Sequence, residues 1–157
     1  MKKLFLALTI LYGASMIGQT EVKSDKEIVP PVAVTIAFQK EFLGKIPIWS
    51  KDYEGEDMDH IRYLAKFSTG SSVGLAVYDN NGVLKAYELA IAKEELPKAA
   101  LNYIQKNYPD QTIREAAKLI DGNNVITYEV GIIKDKKFLD LVFDKKGGFL
   151  KVVEKDQ

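Results

Sequence analysis

Apolar and polar positions alternate along most of this chain with the two-residue period of β-strands, and twice that rhythm gives way to a helical one. Val34, Ala37, Phe38 and Phe42 recur at spacings that put them on one apolar stripe of an amphipathic helix. Val29-Pro30-Pro31 precede the stripe, where a proline's missing N–H has no helical partner to lose, and Gly44 and Pro47 close it. Ala100, Leu101, Ile104 and Tyr108 form a second stripe between Leu96-Pro97 and Pro109. After the first helix, strands are expected over Ile46 to Lys51, around Ile61, Tyr63, Ala65 and Phe67, over Val73 to Tyr78 and over Val83 to Ile91. After the second, Val125 to Ile133, the alternation of Leu139, Leu141 and Phe143, and Phe149 to Val153 read the same way. Thr112 to Ile120 fits either state, because Arg114 to Lys118 favours helix; the match to the first half selects strand. Thr69 to Ser72, Asp79-Asn80-Asn81-Gly82, Asp121-Gly122-Asn123-Asn124, Lys134 to Lys137 and Asp144 to Gly148 supply the turns.

The two halves match each other. Pro31/Pro97, Ala33/Ala99, Gln39/Gln105 and Lys40/Lys106 recur at one constant spacing, and Ile61/Ile126, Tyr63/Tyr128, Val77/Val142, Asp79/Asp144 and Gly82/Gly147 at a spacing one residue shorter. The fold class expected from this is α+β: two tandem repeats, each one helix followed by a four-stranded antiparallel meander, the sheets forming a curved surface. The boundaries are a signal peptide over 1–19, a leader over 20–28, and repeats over 29–91 and 92–157. Shared positions such as Tyr63 and Tyr128 are framework; features of one copy are where a specific function is to be sought.

Lys2 and Lys3 followed by the apolar run Leu4 to Ile17 have the form of a signal peptide, since a membrane span needs about 20 apolar residues. The expected location is therefore the periplasm or outside the cell. The chain has no cysteine, which excludes disulfides, thiol catalysis, thiolate metal sites and a lipid anchor on a cysteine. With 22 basic and 22 acidic residues among 157, no strong field points to nucleic acid or an anionic membrane.

Candidate chemistry is sparse. Asp52, Glu54 and Glu56 lead an acidic loop that also holds Asp57 and Asp59, and could offer oxygens to calcium, but glycine and glutamate do not fall at the EF-hand positions. His60 is the single histidine, too few for a histidine zinc site, and no G-x-S-x-G element stands ready to use it as a base. Thr69 to Gly74 lacks the lysine and spacing of a phosphate-binding loop. Trp49 has no aromatic counterpart in the second half, and together with the strand face of His60, Arg62, Leu64 and Lys66 it forms the expected partner-binding surface. No catalytic residue, metal or cofactor is expected.

Leu-Pro-x-x-Ala in Leu96 to Ala100, the helix ending at Asn107-Tyr108-Pro109, the strand Thr127-Tyr128-Glu129-Val130 and the turn Asp144-Lys145-Lys146-Gly147 resemble the PepSY-like family. More narrowly, the chain resembles the exported, tandem, β-lactamase-inhibitor-like proteins of Bacteroidetes. The resemblance spans Pro30 to Glu154 and is clearer in the second half. It implies tandem α+β units and a sheet surface of the kind that, in the inhibitor, grips an enzyme; it carries over no catalytic residue. The function expected is a non-enzymatic exported binding module for a protein or peptide in the cell envelope or outside the cell, the alternative being a calcium or small-ligand binder that uses the acidic loop.

Overall fold

The computed structural model describes residues 28–54, 60–70 and 72–155. The expected signal peptide, most of the leader, and positions 55–59 of the acidic loop lie outside the described residues. Helix α1 (Val32–Glu41) precedes strands β1 (Ile48–Glu54), β2 (His60–Ser68), β3 (Val73–Asp79) and β4 (Leu84–Ala90). A short 3-10 turn (Lys93–Glu95) and helix α2 (Lys98–Asn107) lead to β5 (Ile113–Asp121), β6 (Ile126–Lys134), β7 (Lys137–Asp144) and β8 (Phe149–Lys155). No described helix is long and apolar enough to cross a membrane.

The strands form one eight-stranded sheet in the order β1-β2-β3-β4-β5-β6-β7-β8, with every neighbouring pair antiparallel. This corrects the expectation of two tandem repeats, each with its own four-stranded meander. β4 and β5 are hydrogen-bonded from Ala86↔Asp121 to Ala90↔Ala117, so the ladder runs through the point where one meander was to end and the next begin. The physical reason lies in the edges. A lone four-stranded meander leaves two rows of unpaired N–H and C=O groups, and joining β4 to β5 satisfies one row from each half. Period-two patterning sorts side chains into two faces but does not tell which edge their strand meets.

Both helices cover the same face of the sheet. Under α1, Val34 and Phe38 pack on Ala65, Phe67, Ala76 and Tyr78. Under α2, Leu96, Ala100 and Ile104 pack on Ala116, Val130, Ile132, Leu141 and Phe143. Pairing Tyr87 with Ile120 carries the first face into the second. Each helix opens on a proline carbonyl: Pro31 accepts from the N–H groups of Val34 and Thr35, and Pro97 from those of Ala100 and Leu101.

The matched turn residues have a structural task. Asp79 Oδ1 accepts from the N–H groups of Asn81 and Val83, and Asp144 Oδ1 from those of Lys146 and Gly148. The glycines that follow lie at φ 80° (Gly82) and φ 87° (Gly147). A Cβ on Gly82 would fall 2.6 Å from the Ala33 carbonyl oxygen, and one on Gly147 would fall 2.7 Å from the Ala100 nitrogen. Each turn thus lies against the first turn of a helix, where only glycine combines that φ with that approach. Asp121 holds its turn in the same way, through Asn123 and Val125. Turn geometry accounts for all three aspartates without a metal.

Candidate functional site

The face of the sheet that carries no described helix is the one that His60, Arg62, Leu64 and Lys66 share, alternating with the buried Ala65 and Phe67. Register adds Ile48, Ser50 and Asp52 of β1 beside Lys66, Leu64 and Arg62. The Arg62 guanidinium donates to the Asp52 carboxylate. Trp49 pairs with Ala65 and so lies on the opposite, helix-covered face. There it is half-buried among aromatic rings, 5.5 Å from Phe38 and 6.4 Å from Tyr78. The structure therefore brings four of the five expected surface residues together and places Trp49 in the α1 core. Of the acidic-loop residues, Asp52 is committed to Arg62, Glu54 ends β1, and Glu56 lies outside the described residues. Among the described residues no group of carboxylate or imidazole side chains is arranged to hold a metal ion.

Further along the same face, five strands converge on a pocket that the sequence did not signal. It is lined by Glu88 of β4, Glu115 of β5, Glu129 of β6, Asp140 of β7 and Lys155 of β8, over a floor of small residues. Lys155 Nζ lies 2.7 Å from Asp140 Oδ2 and 3.6 Å from Glu115 Oε1. The same ammonium rides over the Phe138 ring, 5.2 Å from its centroid. Glu88 and Asp140 are each only 3% exposed. Among the described residues, Glu88 Oε2 has no hydrogen-bond partner. Gly131 makes the arrangement possible, because a Cβ there would lie 2.5 Å from Phe138 Cζ and 2.6 Å from Glu115 Cγ.

Four carboxyl groups crowded around one ammonium, with Glu88 and Asp140 buried, cannot all carry full charge cheaply. Burial first, and then the Glu129 carboxylate, raises Glu88 to about 8. Burial and Asp140 raise Glu129 to about 7. Glu115 is also raised, by burial and by Asp140, with Lys155 working against both. Burial alone would depress the Lys155 ammonium; the Asp140 hydrogen bond and the surrounding carboxylates outweigh it and raise it. The pocket thus holds protons that exchange near neutral pH, and it presents acceptor oxygens to any cation that enters.

Each pocket residue stands alone in sequence, on a separate strand, so no spacing motif joins them. A local signal existed nonetheless. Asp140 interrupts the otherwise apolar run Phe138-Leu139-Asp140-Leu141-Val142-Phe143, and Glu129 sits inside Tyr128-Glu129-Val130. A charge such as Asp140, with apolar residues on both faces of its strand, needs a partner if that strand is buried on both sides.

No protein-family model matches the chain, and none of the curated proteins does. Solved structures do match. A BLIP-like protein from Bacteroides fragilis has a TM-score of 0.65 at 19% identity, over 81% of this chain and 87% of that one. A DUF2874 family protein from Bacteroides ovatus has a TM-score of 0.67 at 13% identity, over 81% and 89%. A candidate periplasmic protein from Bacteroides eggerthii has a TM-score of 0.69 at 16% identity, over 80% and 89%. The class is thus an α+β protein with a single antiparallel sheet and helices on one face. Its fold is that of the BLIP-like and DUF2874 proteins of Bacteroides.

Proposed function

We propose that the chain is a non-enzymatic, exported binding module that takes a protein or peptide partner on the helix-free face of its sheet. One observation carries this reading: an eight-stranded sheet has a whole face that carries no described helix, with Arg62, Leu64 and Lys66 on β2 towards one end, Leu75 on β3 next to them, and a carboxylate pocket from β4 onwards towards the other. A surface with separated charges and an apolar middle suits oriented recognition of another chain. Export is supported by the signal-peptide pattern of the first residues and by the candidate periplasmic neighbour of the same fold. The PepSY-like motifs, and the likeness in fold to a protein described as BLIP-like, fit a module that restrains or captures an enzyme. That step is an analogy of fold.

A photo-crosslinking amino acid at Leu64, on this face, should join the protein to one discrete partner in an envelope fraction. The same group at Gln39, on the exposed side of α1, should not. Identical adducts from both positions, or none from Leu64, would sink the proposal. Inhibition of a β-lactamase panel tests the narrower analogy separately.

A further inference from the structure

We propose that the pocket formed by Glu88, Glu115, Glu129, Asp140 and Lys155 is a receptor for the primary ammonium group of a lysine side chain presented by the partner; this rests on the binding reading above. Four carboxyl groups face one internal cation, and Lys155 Nζ is already engaged by Asp140 at 2.7 Å and Glu115 at 3.6 Å, which leaves Glu88 and Glu129 to be ionised by a second cation. Glu88 lines the pocket and is 3% exposed, and its Oε2 has no hydrogen-bond partner among the described residues. A buried carboxyl oxygen without a partner is uncommon in a folded protein, so this group is suited to a donor brought by a ligand.

Size and chemistry select the donor. The pocket admits little more than one water-sized group. An ammonium head on a slender alkyl stem is of that size and brings three donors, whereas a guanidinium is a wider planar fork with five. A divalent cation is disfavoured, since no described cluster has the arrangement of a metal site. Lys155 shows how this face solvates such a group, with carboxylates on one side and the Phe138 ring against it.

An entering ammonium favours the ionised carboxylates, so binding expels protons from Glu88 and Glu129. The charges that face these two groups are Glu115 on β5, Asp140 on β7, and Lys151 and Lys155 on β8. Affinity therefore rises with pH as Glu129 ionises near 7 and Glu88 near 8.

The test is calorimetric titration of the full chain with oligolysine, oligoarginine and side-chain-acetylated oligolysine of equal length. It is run at about pH 6 and about pH 9, on either side of the two carboxyl values. Oligolysine is expected to bind about tenfold more tightly than oligoarginine, to gain about tenfold in affinity at the higher pH, and to lose about tenfold in Glu88→Gln and in Glu129→Gln. The acetylated peptide should not bind, and Glu94→Gln, a surface control, should bind oligolysine as wild type does. Equal affinity for the lysine and arginine peptides, or undiminished binding by both Gln variants, overturns the assignment. If a variant fails to fold, titration of wild type in buffers of different ionisation enthalpy decides: proton release supports the site and its absence overturns it. A persisting Leu64 crosslink alongside a negative result here would remove the lysine receptor and leave the docking face standing.

Discussion

The Lys155 ammonium and the Asp140 carboxylate meet at 2.7 Å across the last two strands, with side-chain exposures of 15% and 4%. Neither partner reaches water freely, so each is the other's main source of solvation. The pair also orders the pocket, because the same ammonium reaches Glu115 on β5, far across the sheet order from β8. It ties the terminal strand to the interior of the helix-free face.

Removing the cation should therefore cost more than an ordinary surface charge. Lys155→Met is expected to destabilise the fold by about 3 kcal/mol, because it leaves Asp140 buried and unpaired. Adding Asp140→Asn should return much of that loss. Urea unfolding followed by the fluorescence of Trp49, the chain's one tryptophan, measures both. A single variant within about 0.5 kcal/mol of wild type would mean that the pair is solvated after all.

Stability should fall as the solution becomes alkaline. Glu88 stands at about 8 in the folded chain against 4.5 for the free side chain, so the folded state binds more protons between those values. The stabilisation is complete below 4.5, is lost progressively as pH rises, and is gone above about 8. Glu129, at about 7, adds to the same slope. Denaturant unfolding across this range should show the decline, and Glu88→Gln should flatten it and gain stability at the alkaline end. A slope unchanged in Glu88→Gln would show that the carboxyl is not held protonated.

Gly131→Ala should destabilise by about 1–3 kcal/mol through overpacking, since the new methyl meets the Phe138 ring and Glu115 Cγ at 2.5 and 2.6 Å. Gly131 is not among the glycines at positive φ, so the conflict is one of space. Combining it with Phe138→Leu should recover part of the loss. Thermal melting of the four variants of this cycle separates the outcomes, and wild-type melting of Gly131→Ala alone would refute the account.

The strands were largely legible in the sequence. Ile61, Tyr63, Ala65 and Phe67 alternate against polar neighbours, and β2 buries Ala65 and Phe67 as that alternation requires. Trp49 shows the limit. Its lack of a counterpart in the second half suggested an exposed, specific role, yet the register with β2 turns it onto the helix side beside Phe38. Alternation within β1 does not fix which face is which, because Ile48 is apolar and 76% exposed. That choice is made by pairing with β2.

The chain's own pattern determined the helices, the turns and every strand but β5, because these follow from local periodicity, proline and glycine stereochemistry, and the hydrogen bonds of turn aspartates; β5 needed the match between the two halves. The tertiary structure decided the rest. It joined β4 to β5 into one sheet where the internal match had suggested two units, since pairing of edges is a long-range choice that periodicity does not encode. It also gathered Glu88, Glu115, Glu129, Asp140 and Lys155 from five strands into one pocket. Their proton affinities and their unmet acceptor exist only where burial and mutual proximity coincide, and no segment of sequence carries either alone.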